Sequence, residues 1–377
     1  MRCICTFLVM AGVIAVPAFS QTSKKQTSDP PPSSIEKAGD EQSIETLPSV
    51  VVDFEKPVTV ASSSDTPGFF LPVQCSMDGR VYAAQMVLLP SYKMRIVGGN
   101  PGDSSETVTL NPSSVEGLEG VFFNWFTVTP DGITVLARAW PTGHPSDEAN
   151  YLITFDKHGQ ATKTTRINVP SDVFRFGVFE SGDIVITGLE KVNKTLKVML
   201  LNPSGDILKY FDVGLDTDIE MNSAENAFRA QNADLNGSLK DEGDSARAVA
   251  GTYFLVPHGH NFLLFTEDPN QPVYEIGDGS IIHRTLVQYP PGDKPAFYVA
   301  TEGRNWLSDV SHVKSSGGSR EDVVYEIDPD SGAFLRVFRT TGIPASIVCV
   351  SQSKILGVRM ESPAKNSQLQ VMTFDIK

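Results

Sequence analysis

A strand, a tight turn and a second strand recur six times along the chain, and this repeat constrains the fold more than any other feature. The turns begin at Asp78, Asp131, Ser181, His258, Glu302 and Gln352. Their spacings of 53, 50, 77, 44 and 50 residues are typical of one four-stranded sheet per repeat with one insertion. The pattern predicts an all-β fold over residues 49–377, a six-bladed β-propeller of four-stranded antiparallel blades. A sandwich of similar strands is the alternative.

Two repeats show the predicted order of strands within a blade. The second repeat has the strands Val121–Thr129, Ile133–Trp140, Tyr151–Phe155 and Ala161–Asn168. The third has Val173–Phe179, Ile184–Leu189, Leu196–Leu201 and Ile207–Val213. Turn residues separate runs of apolar and β-branched residues in both, which is the signature of consecutive hairpins.

The last repeat supplies three strands, Ile347–Val350, Ile355–Met360 and Leu369–Phe374, before the sequence ends at Lys377. The segment Ser49–Phe54 is strand-like and belongs to no other repeat. We therefore predict that it pairs with Leu369–Phe374. Such a pairing closes the ring and removes exposed sheet edges.

The N-terminal residues are typical of a signal peptide over residues 1–20. Arg2 supplies a positive start, Thr6–Phe19 is apolar, and Ala18–Ser20 offers small residues before a predicted cleavage at Gln21. This predicts a periplasmic or secreted protein with no stable membrane span after cleavage; an uncleaved anchor is the alternative. Residues 21–48 are rich in Ser, Thr, Lys, Glu and Pro and predict a disordered linker.

The chain is acidic, with 45 Asp and Glu residues against 31 Lys and Arg residues and a net charge of −14. This balance disfavours nucleic acid or anionic lipid as a partner. Binding to either requires Lys and Arg residues that neutralise phosphates, whereas this sequence is net negative and shows no Lys/Arg cluster. The insertion, residues 214–246, concentrates acidic residues. It is predicted to lie over the channel mouth as a lid or docking arm.

The turn-and-strand motifs resemble those of the broad class of secreted six-bladed propellers related to NHL and TolB-like repeats. The resemblance covers about residues 49–377 and lacks the Gly-His and Trp-Asp signature of WD40 blades. It implies relatives that include calcium-dependent lactonases and metal-dependent lyases, with a metal held at the channel mouth by residues from several blades. No such ligand set can be matched in this sequence, so no metal and no cofactor are predicted.

Other chemical motifs are weak. Asp328–Gly332 resembles the start of a calcium loop, but its sixth and twelfth positions are Ala333 and Arg339, which predicts a hairpin turn instead. His258 and His260 could supply two imidazoles to one metal, although this turn is predicted to face away from the channel mouth.

Cys75 and Cys349 each lie three residues before the turn of their repeat. The first and last blades become neighbours when the ring closes, so these cysteines are either a disulfide or a pair of small buried side chains.

The sequence predicts a non-catalytic binding or scaffold propeller that engages a protein, peptide or glycan on its loop face and acts as a monomer. The candidate binding residues are His144, His312 and Arg320 in the loops between second and third strands and Trp140 beside the first of these loops. The alternative is a metal-dependent, lactonase-like hydrolase or lyase, for which Trp140, His144 and His312 are the first candidates.

Overall fold

Two short strands precede five sets of four strands and a final set of three in the part of the chain that the structure describes. The computed structural model describes residues 46–62, 70–76, 80–87, 93–99, 106–129, 131–190, 196–213, 253–266, 270–313, 320–341, 345–361 and 368–376. The predicted signal peptide, most of the predicted linker and the acidic insertion lie outside these residues. All described residues belong to one compact unit that spans Gln42–Lys377.

The strands β1 (Ser49–Asp53) and β2 (Val58–Ser62) come first, and three separate four-stranded antiparallel sheets follow. The first set is β3 (Phe70–Cys75), β4 (Val81–Val87), β5 (Lys93–Gly98) and β6 (Glu106–Leu110). The second set is β7 (Leu118–Thr129), β8 (Gly132–Pro141), β9 (Ala149–Phe155) and β10 (Ala161–Arg166). The third set is β11 (Ser171–Val178), β12 (Ile184–Glu190), β13 (Leu196–Leu201) and β14 (Ile207–Phe211).

The remaining strands join into one 13-stranded sheet that contains three further sets. The fourth set is β15 (Phe254–His258), β16 (Asn261–Phe265), β17 (Val273–Gly277) and β18 (Ser280–Thr285). The fifth set is β19 (Lys294–Thr301), β20 (Trp306–Val313), β21 (Arg320–Ile327) and β22 (Phe334–Thr341). The sixth set is β23 (Ser346–Val350), β24 (Lys354–Glu361) and β25 (Gln368–Asp375), with β2 as its fourth strand.

The predicted strands of the second and third repeats are confirmed to within three residues at either end. The turn at Asp328 is also a hairpin turn. The Asp328 carboxylate accepts a hydrogen bond from the Asp330 N–H at 2.8 Å, and Gly332 adopts the left-handed φ of 70° that such a turn requires.

The first strands of the second to sixth sets lie side by side in chain order. Residues of β15 pair in parallel with β19 at His258 and Thr301, and β19 pairs with β23 at Ala300 and Cys349. The strand β11 contacts both β7 and β15, and β23 contacts β3. The sixth set therefore returns to the first.

Apolar clusters fill the space between consecutive sets. Leu136 of the second set packs with Ile186 of the third, and Val81 of the first packs with Leu356 of the sixth. The other four junctions are filled by clusters of the same kind. Burial of these faces supplies the main stabilisation, at about 25 cal/mol for each Å² of apolar surface.

The predicted pairing of Ser49–Phe54 with Leu369–Phe374 is wrong. The strand β1 instead pairs in parallel with the outer strand of the fifth set, so that Val51 lies opposite Arg339. The later segment β2 takes the predicted place beside β25, antiparallel, with Val58 opposite Val371. The physical reason is that β1 buries Val52 completely between the fifth and sixth sets.

Candidate functional site

Five of the six first strands end at one cavity. Its volume is about 600 Å³, and its walls come from the ends of β3, β15, β19 and β23, from the turns that follow them, and from Glu180 in the turn after β11. The volume falls in the range of cavities that hold small ligands. Side chains at this end therefore converge from sets that are distant in sequence.

Backbone hydrogen bonds fasten these strand ends to one another. The Gly259 N–H donates to the Thr301 carbonyl at 2.8 Å, and the Glu302 N–H donates to the Val350 carbonyl at 3.2 Å. Gly259 has a φ of 55°, in the left-handed region that glycine adopts most readily. This turn brings the next residue, His260, to the cavity.

Charged side chains surround the cavity. The His260 Nδ1 lies 2.9 Å from the Glu180 Oε1, and the two side chains are 78% and 66% exposed. Glu302 and Lys354 line the same cavity. These groups offer both acceptors and donors of charge-assisted hydrogen bonds, so the arrangement suits a polar ligand.

A disulfide forms part of the cavity wall. Cys75 at the end of β3 is joined to Cys349 in β23, with their Cα atoms 5.6 Å apart. Both residues are buried and belong to the apolar cluster between the first and sixth sets. The bond therefore connects the earliest and the latest of the six sets beside the cavity.

The four predicted binding residues lie elsewhere, and the structure does not bring them together. Trp140 is the penultimate residue of β8, and its ring lies against Gly120. His144 is exposed before a short 3-10 helix at Pro145–Asp147. Arg320 begins β21, where its backbone pairs with Val313. The second and fifth sets are not neighbours, which separates Trp140 and His144 from the other two.

His312 is an interior residue. Its side chain is 8% exposed, and its Nδ1 lies 3.0 Å from both carboxylate oxygens of the buried Asp293. The Tyr325 hydroxyl donates to the same carboxylate at 3.0 Å. This group ties the loop before β19 to β20 and β21, which gives His312 a structural role in its own set.

The two histidines of the His258–His260 turn point to different surroundings. His258 is buried near Glu275, and burial lowers the pKa of its imidazole, opposed by the charge of Glu275. The Glu275 carboxylate accepts hydrogen bonds from Asn261 at 2.7 Å and from the Trp306 indole at 3.2 Å. The described residues contain no group of three or more His, Cys, Asp or Glu side chains placed to hold a metal ion.

Sequence reasoning missed Glu180, Glu302 and Lys354 as site residues. Each lies next to a tight turn, where charged residues ordinarily serve only to keep the turn soluble. Their position in the repeat could have indicated them, since Glu180 and Glu302 both follow the first strand of a repeat.

Neither of the helical segments in the described ranges is long and apolar enough to cross a membrane.

No protein-family model and no curated protein matches the chain. Among solved structures, it is similar to the β-propeller domain of the trilobed protease from Pyrococcus furiosus at 10% identity, over 82% of each chain, with a TM-score of 0.40. It is similar to the Pan2 WD40 domain of Neurospora crassa at 8% identity, over 85% of this chain and 95% of that one, with a TM-score of 0.41. It is similar to the α-L-arabinanase of Penicillium chrysogenum at 12% identity, over 85% of this chain and 98% of that one, with a TM-score of 0.42. These structures belong to three different proteins, and the similarity assigns the chain to no family.

Proposed function

We propose that this protein is a non-catalytic binding propeller that holds a polar segment of a protein, peptide or glycan in the cavity where the first strands end. The observation that carries the proposal is the convergence of five chain segments on one cavity whose wall includes Glu180, Glu302 and Lys354. Function in propellers is set by such a site and not by the fold, which serves many activities.

We further propose that the six sets are six blades of a closed ring and that β2 completes the last blade. The apolar cluster between the sixth and first sets supports a closed ring. The pairing of β2 with β25 supports its role as the closing strand. A closed ring holds the five strand ends in fixed positions, and this rigidity lowers the entropy lost when a ligand binds.

The proposed setting is the periplasm or the extracellular medium, where the protein acts as a monomer. The sequence at residues 1–20 supports export, and a disulfide between Cys75 and Cys349 suits an oxidising compartment. The loop face, where His144 is exposed, is proposed as a second contact surface, with the acidic insertion as its docking arm.

A cavity-filling substitution tests the proposal. We expect Ser353→Trp, at an exposed position in the cavity wall, to weaken binding of peptides or oligosaccharides by roughly tenfold or more, because the indole occupies the ligand's space. Ser204→Trp is the matched control, since Ser204 lies in an exposed turn of the third set away from the cavity. Fluorescence polarisation against peptide and oligosaccharide panels measures the effect.

Two outcomes would contradict the proposal. One is equal binding by the wild type, Ser353→Trp and Ser204→Trp, which would place the ligand elsewhere. The other is one tightly bound calcium, zinc or magnesium ion per chain in native mass spectra, together with lactone hydrolysis that a chelator abolishes. That result would favour the enzyme alternative.

A further inference from the structure

A second cleft adjoins the cavity, and Glu180 lines both. The cleft has a volume of about 780 Å³ and lies between the second and third sets, at the same end as the cavity. We propose that the cavity and the cleft are one continuous site for an extended cationic peptide segment that crosses Glu180. This inference rests on the proposed function. It adds the chemical class of the ligand and the course of the ligand through the cavity and the cleft.

The cleft exists because polar residues replace apolar ones at this end of the junction. The apolar cluster between the second and third sets includes Leu152 and Ile184, which form part of the cleft floor. Beyond them the walls carry five threonines, Thr129, Thr134, Thr154, Thr162 and Thr165. Side chains of this size leave space where larger apolar residues would fill it.

The edge strand β10 contributes an irregular wall to the cleft. Its register shifts between Ala161 and Lys163, and Thr162 and Lys163 both line the cleft although they are consecutive. A bulge redirects side chains in this way. The Thr162 hydroxyl donates to the Thr154 carbonyl at 3.1 Å, so the wall presents polar groups beside an apolar floor.

The charges favour a cationic ligand. Asp131 lies in the cleft, Glu180 at the junction and Glu302 in the cavity, against Lys163 and Lys354. The His260 Nδ1 lies 2.9 Å from one oxygen of the Glu180 carboxylate. The net charge of −14 attracts cations to the whole molecule. An acidic path of this kind pairs with Lys or Arg side chains placed at intervals along an extended chain.

The lining favours a peptide over a glycan. Sugar rings are commonly held against an exposed aromatic face. Among the described residues that line the cavity and the cleft, Phe179 is the one Phe, Tyr or Trp residue, and it is only 4% exposed. Threonine hydroxyls beside Leu152 and Val178 instead suit a backbone with aliphatic side chains.

Peptide length and a pair of variants on one strand test the continuity of the site. The probes are a fluorescein-labelled cationic dodecapeptide, its acidic counterpart, a cationic tetrapeptide and a neutral oligosaccharide. Thr162→Trp fills the cleft from an exposed position on β10, and Thr164→Trp places the same indole at an exposed position on β10 outside the cleft. Glu180→Gln removes the charge at the junction, and Glu116→Gln is its control at an exposed position away from both spaces.

We expect the cationic dodecapeptide to bind more tightly than the tetrapeptide and to lose roughly tenfold in affinity in Thr162→Trp and in Glu180→Gln, but not in either control. Added salt should weaken dodecapeptide binding to the wild type more than binding to Glu180→Gln.

Unchanged dodecapeptide affinity in Thr162→Trp, with loss in Ser353→Trp, would overturn the continuous site and leave the cavity proposal intact. Tighter binding of the acidic peptide or of the oligosaccharide would overturn the ligand class. Failure of every probe to respond to Ser353→Trp would overturn the proposed function itself.

Discussion

Cys75 and Cys349 form a disulfide although 274 residues separate them in the sequence. The bond joins β3 of the first set to β23 of the sixth. Their Cα separation of 5.6 Å lies inside the range that disulfides span. Since the first strands of these sets are in contact, the crosslink reinforces the junction between the first and sixth sets.

We expect the mass of the native protein to be unchanged by thiol alkylation without reductant and to increase by two adducts on Cys75 and Cys349 after reduction in denaturant. The Cys75→Ala/Cys349→Ala variant should lose up to about 5 kcal/mol in free energy of unfolding, because the unfolded chain regains the freedom that the bond removes. Urea titrations of the oxidised protein and the variant measure this loss. Equal midpoints would show that the bond contributes nothing to stability.

The position of β1 on the fifth set is tested by two adjacent valines. Val52 is fully buried and Val51 is 56% exposed. Val52→Ala should lower the free energy of unfolding by about 2 kcal/mol through the cavity it leaves, and Val51→Ala by less than about 0.5 kcal/mol. Equal effects in urea titrations would argue against the parallel pairing with β22.

Asp309 should make the protein less stable as the pH rises toward neutrality. Burial raises the pKa of its carboxyl to about 7, and the charge of Asp322 adds to the rise. Because the folded pKa lies above the unfolded one, the stabilising contribution is present below about pH 4 and is lost as the pH rises to about 7. Asp309→Asn should therefore exceed the wild type in stability by about 2–4 kcal/mol at pH 8 and match it near pH 4.

Chemical denaturation of both proteins across this pH range measures the difference. Asp322→Asn is the companion variant, since removal of the neighbouring charge lowers the pKa of Asp309 and should recover part of the gain at pH 8. A constant difference between Asp309→Asn and the wild type at every pH would contradict the prediction.

A partly buried tyrosine, Tyr289, should limit stability at alkaline pH. Burial raises the pKa of Tyr289 to about 12, and its hydroxyl donates to the Ser308 hydroxyl at 2.8 Å. The folded pKa is again above the unfolded value, so stability present below about pH 10 is lost as the pH rises to about 12. Tyr289→Phe should reduce this loss, as measured by thermal unfolding between these pH values. Ionisation of Tyr289 near pH 10 in the folded protein, detected as the tyrosinate absorbance missing from the Phe variant, would contradict it.

The strand sets were predictable because their signals are local. A turn such as Asp328–Gly332 and the apolar runs on both sides specify a hairpin within a few residues of sequence. The pairing of β1 was not predictable in this way. Parallel pairing with an outer strand requires no connecting turn, so nothing near Ser49–Asp53 indicates its partner β22.

The candidate cavity could not be predicted from the sequence for a related reason. Glu180, Glu302 and Lys354 look like ordinary turn residues until the ends of five strands are placed side by side. His312 is the opposite case: its position near the end of a strand predicts an exposed residue, but its side chain is buried. Its contact with Asp293 depends on how the loop before β19 folds back, which no local pattern specifies.

The placement of β1 and β2 also has a consequence for the order of events during folding. β1 and β2 precede every other described strand in the sequence, whereas their partners β22 and β25 come after most of them. The fifth and sixth sets therefore reach their final form only once β22 and β25 have been made. Until then β1 and β2 lack these partners, and pairings so distant in sequence form slowly.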